Sequence, residues 1–391
     1  MKPYEGVTVL ELSTMITASL ASMILAEQGA RVIKVEPLDA GDPLRTSGTS
    51  KGGMAALFAS CNRGKESIRV DIKSQEGQML LRELATDLDV VIHNFRPGVM
   101  DRNGLGSDDL RQGNERLIYT AISGFGNRGP MKAAPAYDPV IQAYSGMTAS
   151  QGGTSPAFIK NLMCDKLTAY TACQAISSAL YAREKTGKGQ HIDVSMLDSA
   201  MFFLFPDAFG NHTLLDDDVQ LQPLLSDLLY EMTLTKDGGL TISAATEVQR
   251  HGVYRALGIE HMSTDERFNP VQNLVANIAE YRAILSKAFS EITTDDALKR
   301  LQENDVPCAR CYSLDEAISQ EQLTANNSIE IQDHPVMGKL RAFRTPAKFE
   351  GEPLPVGNPA PMHGQHTSSV LDSFGVTAER VERLRKEGVI H

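Results

Sequence analysis

Residues 7–36 read VTVLELSTMITASLASMILAEQGARVIKVE. Val7–Leu12 is short, apolar and β-branched, the pattern of a buried strand. Ser13 can open a helix that runs to about Gln28, where Gly29 is the stop signal. Arg31–Glu36 is a second strand, closed by Pro37. A strand, a helix and a strand within thirty residues form one βαβ unit, and that unit implies a parallel sheet.

The rhythm continues outward. Glu66–Ile72 is strand-like, and Ser74–Leu88 is an amphipathic helix with Leu80, Leu81, Leu84 and Leu88 at helical spacing. Val90–Phe95 and Leu117–Ser123 are further strands. The α/β alternation predicts a parallel sheet with helices on both faces, and ligands at the carboxyl ends of its strands. A dinucleotide fold would place G-x-G-x-x-G after the first strand. This chain has Ser13-Thr14-Met15-Ile16-Thr17-Ala18 there, and it has no P-loop. The rhythm therefore does not imply NAD or ATP.

Asp138–Ala149 and Asp165–Lys185 are the next helices, followed by a strand-like Gln190–Met196. In the second helix Ala169, Ala172, Cys173, Ile176, Ala179 and Leu180 form one face of mostly small residues, suited to close packing. Residues 201–224 lack regular signals and are read as a crossover. Glu231–Thr235 and Leu240–Ala244 alternate around Lys236-Asp237-Gly238-Gly239, a hairpin signature. Helical stretches follow near 247–258, 277–290 and 294–304. Residues 225–315 thus form a smaller α+β domain, and 316–324 is a second linker. The tail, with Pro353, Pro355, Pro359 and Pro361, reads as an extended path ending in a charged helix near 378–387.

The 391 residues carry 38 Lys+Arg against 49 Asp+Glu, a net charge of −11 at pH 7. A duplex nucleic-acid binder or a polybasic membrane protein needs the opposite balance. No stretch approaches the ~18 consecutive apolar residues of a membrane span. The apolar-leaning run Met15–Ala26 is broken by Thr17, Ser19 and Ser22, and no signal peptide is read at the start. Five cysteines, Cys61, Cys164, Cys173, Cys308 and Cys311, are a sparse, odd set. They fit reduced thiols and a cytoplasmic location. Cys308-Ala-Arg-Cys311 has no second pair, and His363-Gly-Gln-His366 has no third ligand, so no metal site is expected.

Two acidic residues open helices. Asp165 serves as an N-cap residue on one reading. On the other, the helix N-terminus keeps its carboxylate ionised for nucleophilic attack. Asp138, followed by Pro139, is a good helix start, with an accessory catalytic role as the alternative. Arg63, Lys65, Arg69, Lys73, Arg96 and Arg102 cluster along the first sheet, either as a phosphate cradle or as ordinary solvated charges.

A series of motifs changes these weights. GVTVLELS at 6–13, GARVIKVEP at 29–37, NRGKESIRVD at 62–71, HNFRPGVMDRNGLG at 93–106, SGFGNRGP at 123–130, YDPVIQAYSG at 137–146, TGKGQHIDVSMLD at 186–198 and GQHTSSVLDSFG at 364–375 occur in one order. In these the chain resembles the class III coenzyme A transferases, the CaiB/BaiF group of formyl-CoA and carnitine CoA-transferases. That family also contains the 2-methylacyl-CoA racemases.

The resemblance implies a large Rossmann-like domain from residues 1–200 and 325–391 with the smaller domain inserted, and an interlocked homodimer. It implies that Asp165 is the nucleophile and that Asp138 faces the active site. It also implies that Met15, Val70, Lys73, Asn94, Phe95 and Arg102 contact coenzyme A. The substrates would be an acyl-CoA and a carboxylic acid, with no prosthetic group, no nucleic acid and no membrane. Asp165 would attack the thioester, pass through an anhydride and carry CoA as an aspartyl thioester.

There are departures from the oxalate-using branch. Its glycine-run lid is replaced by residues 221–229, LQPLLSDLL, and its glutamine by Ile16. Racemases carry a His where this chain has Tyr137, and a phenol is a poor base near neutral pH. A racemase or epimerase, and a CoA-binding protein without turnover, stand as the alternatives. Arg45, Lys51 and His212 are candidates for holding a second carboxylate, as in succinate.

Overall fold

In a computed structural model of the chain, six strands form one parallel sheet: β1 (Thr8–Leu12), β2 (Arg31–Glu36), β3 (Lys65–Arg69), β4 (Val90–His93), β5 (Ile118–Ser123) and β6 (His191–Ser195). The structure describes residues 2–152, 155–224, 226–227 and 230–391. The strand order is β3-β2-β1-β4-β5-β6. The chain winds outward from β1 to β3, then returns to lay β4 against the other side of β1, with Leu12 opposite His93. The order reverses between β1 and β4, and crevices at such a reversal hold ligands in doubly wound sheets.

The helices that position the site are α1 (Thr17–Glu27), α2 (Gln75–Ala85), α3 (Asp138–Tyr144), α4 (Met163–Thr186) and α5 (Met196–Ala208). Alternate strand residues face opposite sides of the sheet. Leu10, Ile33, Ile68 and Val91 pack with Leu80, Leu81 and Leu84 of α2 on one side. Val9, Val32, Val90 and Ile118 pack on the other with Ala18, Ala21 and Leu25 of α1 and Ala169, Ala172 and Ile176 of α4. The small side chains let α1 and α4 approach closely, as the spacing in α4 predicts.

Several expectations are corrected. The first helix starts at Thr17 rather than Ser13, because Met15 takes a left-handed φ of 65° and Ser13 turns its hydroxyl inward to Glu11. The helix at Asp138 ends at Tyr144 and does not reach Ala149. Residues 201–208, read as crossover, belong to α5. Its MFFLF run has no polar face, so it shows no helical period. The tail is not wholly extended: Ile329–His334 and Gly338–Phe343 pair as an antiparallel hairpin, and Thr367–Ser373 is helical.

Phe205–Glu321 forms one compact unit and Met1–Leu204 with Gln322–His391 the other. In the former, Thr233–Leu234, Gly239–Ile242 and Cys308–Arg310 form an antiparallel sheet over a core that includes Tyr254, Phe268 and Phe289. The Asp237 carboxylate in the hairpin turn accepts the Thr294 N–H at 2.7 Å. Of the stretch compared with a glycine lid, Leu225, Leu228 and Leu229 lie outside the described residues.

Candidate active site

The loop after β1 is fixed from two sides. Asn94, just past β4, accepts the Thr14 N–H at 3.2 Å and donates to the Thr14 carbonyl at 2.6 Å and to Thr17 Oγ1 at 3.0 Å. From the other side, Asp42 Oδ1 accepts the Met15 N–H at 3.1 Å and the Leu44 N–H at 2.9 Å. These bonds hold Met15 in its left-handed conformation, which costs an L-residue about 1–2 kcal/mol. Ile16 at the head of α1 makes no side-chain cap hydrogen bond, and a helix N-terminus favours negative charge.

A buried ion network lies under this loop. Lys34 Nζ sits 2.7 Å from Glu11 and 2.9 Å from Asp42, and Lys65 Nζ sits 2.7 Å from the other Glu11 oxygen. The hydroxyls of Ser13, Ser19 and Ser22 also donate to Glu11. Arg45 makes a bidentate pair with Glu36 at 2.8 and 2.6 Å and lies over the Phe58 ring. Arg63 pairs with Glu27 in a buried contact. Burial opposes the charge on Glu11, but the two lysines overcome it and hold its carboxyl well below the usual range. Burial and the charge of Lys34 bring Lys65 down to about 8 despite Glu11.

These contacts correct three expectations. Lys65 and Arg63 are neither a phosphate cradle nor solvated, and Arg45 is not free to hold a substrate carboxylate. Each is spent on an interior partner. Of the other two residues considered for a second carboxylate, Lys51 is exposed in a short hairpin and His212 lies in the other unit.

Asp165 occupies the first turn of α4 and is half-buried. Its backbone N–H donates to Asp138 Oδ2 at 3.0 Å. Asp138 is buried at the head of α3, and its Oδ1 accepts from Gln142 Nε2 at 2.6 Å. Asp138 therefore acts as a cap for a helix other than its own. Burial, with the Asp138 carboxylate beside it, pushes the Asp165 carboxyl up to about 7. The expectation that a helix N-terminus keeps Asp165 fully ionised is thus amended: it is poised near neutrality, the range that suits reactive groups.

Asp165 opens onto a cavity of ≈ 260 Å³ at the crevice, lined by Thr14, Met15, Asn94, Phe95, Arg96, Lys132, Tyr137 and Met196 among others. Asp165 is the one carboxylate among the described lining residues. His93, below Phe95, is buried and pushed down to about 3 by burial and by His191, so it is neutral at physiological pH.

Met15, Asn94, Phe95 and Asp165 are thus brought to one cavity. Val70, Lys73 and Arg102 are not among its lining. The Val70 side chain is in the core, and its N–H donates to Glu36. Lys73 and Arg102 are exposed, with no ion pair among the described residues. Sequence reasoning missed Lys132 and Gln142. Gln142 lies four positions after Asp138 on one helix, a spacing that places the two side chains together. No pattern marks Lys132.

Among the described residues, no three His, Cys, Asp or Glu side chains are grouped to hold a metal ion, and no helix is long and apolar enough to cross a membrane. The chain thus has a doubly wound parallel sheet with one raised carboxylate on the cavity at its switch point. The family model of CoA-transferase family III matches residues 4–367, and the chain belongs to that family. It is a coenzyme A transferase, an enzyme that moves CoA between carboxylic acids, with CoA thioesters as substrates.

The acetyl-CoA:oxalate CoA-transferase of Acetobacter aceti is 32% identical over 90% of this chain and 92% of its own length. The succinyl-CoA:glutarate CoA-transferase of Mus musculus is 32% identical over 100% of this chain and 91% of its own. The crystal structure of a CAIB/BAIF family protein from Brucella suis superposes with a TM-score of 0.82 at 30% identity, covering 95% of this chain and 99% of that one. That of Rv3272 from Mycobacterium tuberculosis gives 0.84 at 28% identity, covering 94% and 98%.

Proposed function

We propose that the protein transfers coenzyme A between small organic acids through covalent intermediates on Asp165. The carrying observation is the single carboxylate on the cavity at the β1–β4 switch point, raised to about 7. In its ionised form Asp165 attacks the acyl-CoA carbonyl carbon. The C–S bond breaks, and CoA leaves as a thiolate, acceptable because a thiol titrates near ~8.5. The thiolate then attacks the Asp165 carbonyl of the mixed anhydride, releasing the first acid and leaving an aspartyl-CoA thioester. The acceptor carboxylate attacks that thioester, and the expelled thiolate takes the new acyl group and frees Asp165. Water must be kept out while the anhydride exists.

Met15, Asn94 and Phe95 would line the path of CoA, with Val70 contributing its backbone and Lys73 and Arg102 their exposed charges. Asn94 acts through the loop that it clamps, since its amide is already bonded to Thr14 and Thr17. On this reading the unit Met1–Leu204 with Gln322–His391 binds CoA. Arg96 and Lys132 on the cavity favour a dicarboxylate such as succinate as one partner. The names of the mouse and Acetobacter relatives, with succinyl-CoA, glutarate and oxalate, support the same class.

We further read the working form as an interlocked cytoplasmic homodimer. Tyr144, Tyr170, Tyr181, Phe202 and Phe203 leave aromatic surface exposed on α3, α4 and α5, more than solvent favours. Light scattering on the purified protein checks the mass, and a monomer overturns this part.

The exchange test uses succinyl-CoA and a pool of carboxylic acids, read by mass spectrometry. A new acyl-CoA with the native protein and none with Asp165→Asn supports the reading. Undiminished exchange by Asp165→Asn sinks it.

A further inference from the structure

Gln142 is buried, and its amide makes more contacts than helix packing needs. Nε2 donates to Asp138 Oδ1 at 2.6 Å and lies 3.0 Å from the Ile159 carbonyl and 3.1 Å from the Asn161 carbonyl. Its Oε1 accepts the Ile159 N–H at 3.1 Å. One side chain thus ties three things together: α3, the segment that leads into α4, and the carboxylate that holds the Asp165 N–H. None of these hydrogen bonds goes to a residue that lines the cavity. A buried amide satisfied on both ends is a rigid brace, because leaving any of these groups unpaired costs free energy.

We propose that Gln142 is a positioning residue for the nucleophile: it aims the Asp138 carboxylate at the first turn of α4 and so sets the reactivity of Asp165. The proposal rests on the reading of Asp165 as nucleophile and extends it to a residue outside the cavity. The chain of contact is Gln142 to Asp138 to the Asp165 N–H. Through it, a negative charge is held beside Asp165 and opposes its ionisation.

The other groups near Asp165 are few. Tyr137 comes from the head of α3, Arg96 from the loop after β4 and Lys132 from the loop after β5. On its own helix are Cys164, whose thiol burial pushes up to about 12, and Lys166, which donates to Asn161. Burial is the first cause of the raised Asp165 carboxyl and the Asp138 charge the second, so Asp138 is the group that holds the carboxyl up after burial.

The test reads the pH midpoint of Asp165 directly. Carbodiimide labelling of Asp165, followed by peptide mass spectrometry across pH, needs no turnover. Gln142→Met removes the amide and leaves Asp138 free to turn away. The midpoint is expected to fall by about one unit, as in Asp138→Asn, which removes the charge and keeps the shape. The double variant is expected to shift no further than Asp138→Asn alone, because both act on one interaction. Gln142→Asn keeps an amide but is one methylene too short to span Asp138 and Ile159, so it carries the same expectation and guards against a folding failure.

In turnover, kcat is expected to fall by about tenfold or more, while KM for acyl-CoA stays within about twofold. A merely structural brace would lower the folded fraction and leave the midpoint unmoved. An unmoved midpoint in the folded Gln142 variants, or additive shifts in the double variant, overturns the proposal. Shifted midpoints together with undiminished CoA exchange by Asp165→Asn would keep the Gln142–Asp138–Asp165 coupling and overturn the nucleophile reading instead.

Discussion

Glu11 and Asp165 are two carboxylates of one folded unit, the first fully buried and the second half-buried at a cavity. Glu11 meets two lysine ammonium groups and three serine hydroxyls. Asp165 meets a second carboxylate. The first is held ionised at every physiological pH, and the second is pushed up to about 7. Burial opposes charge at both, so burial alone does not distinguish a structural carboxylate from a reactive one. The distinction lies in what compensates it. Glu11 is fully compensated, and its charge is fixed. Asp165 has no cation partner among the described residues, and its charge is lost and gained near neutral pH.

The largest effect that could break this contrast is on activity. Asp165→Asn is expected to lower CoA transfer by at least about a thousandfold, since an amide cannot form the anhydride. Activity within tenfold of native would place the nucleophile elsewhere. The native enzyme should also show kcat/KM rising about tenfold per pH unit below about 7 and levelling above it, because the ionised form attacks. A flat profile from pH 5 to 8 would remove Asp165 from the rate-determining chemistry.

Next is stability at the compensated carboxylate. Lys34 has no exposed side-chain surface and serves both Glu11 and Asp42. Lys34→Met leaves two buried acids short of a cation, a change that costs roughly 3–5 kcal/mol when a buried pair is broken. Urea unfolding measures it. A loss under about 1 kcal/mol would mean that the network relaxes or is wetter than its burial indicates.

The two carboxylates were unequally legible in the sequence. Asp165 and Asp138 stand out because each opens a helix, and the strands stand out because VTVLEL and RVIKVE are short and β-branched. The ion network does not stand out. Lys34 and Glu36 alternate with apolar residues in RVIKVE, which reads equally well as a strand with one solvated face. Only the register that sets Lys34 against Glu11, and the return of Asp42 over the sheet, shows that this face is interior. The second half of α5 is illegible for the opposite reason: its apolar run Met201–Phe205 has no polar residue to mark a period.

A smaller effect sharpens the contrast through pH. In the unfolded chain Asp165 returns to an ordinary value near ~3.9. Its folded value is raised, so the folded state binds the proton more tightly between about 4 and about 7. The stability it contributes is fully present below about 4 and is lost as pH rises through about 7. Asp165→Asn carries no such dependence. The variant should therefore gain on the native protein between pH 4 and pH 8 by about 1–2 kcal/mol, a figure reduced because Asp165 is not fully buried. A constant difference across that range would show that Asp165 is not raised at all.

The smallest effect tests whether the loop over the compensated site is strained. Met15 holds φ at 65° because Asp42 takes its N–H while Asn94 grips Thr14. Glycine adopts that conformation without steric cost, although it also adds freedom to the unfolded chain. The two terms oppose each other, and Met15→Gly is expected to change stability by less than about 1 kcal/mol, with the sign favouring the variant. Its effect on catalysis should be larger than its effect on folding. The Met15 side chain lines the cavity, so its loss should raise KM for acyl-CoA while the pH midpoint of Asp165 stays put. A variant that loses more than about 2 kcal/mol would show that Met15 is held by its side-chain packing, and that Asp42 and Asn94 merely follow it.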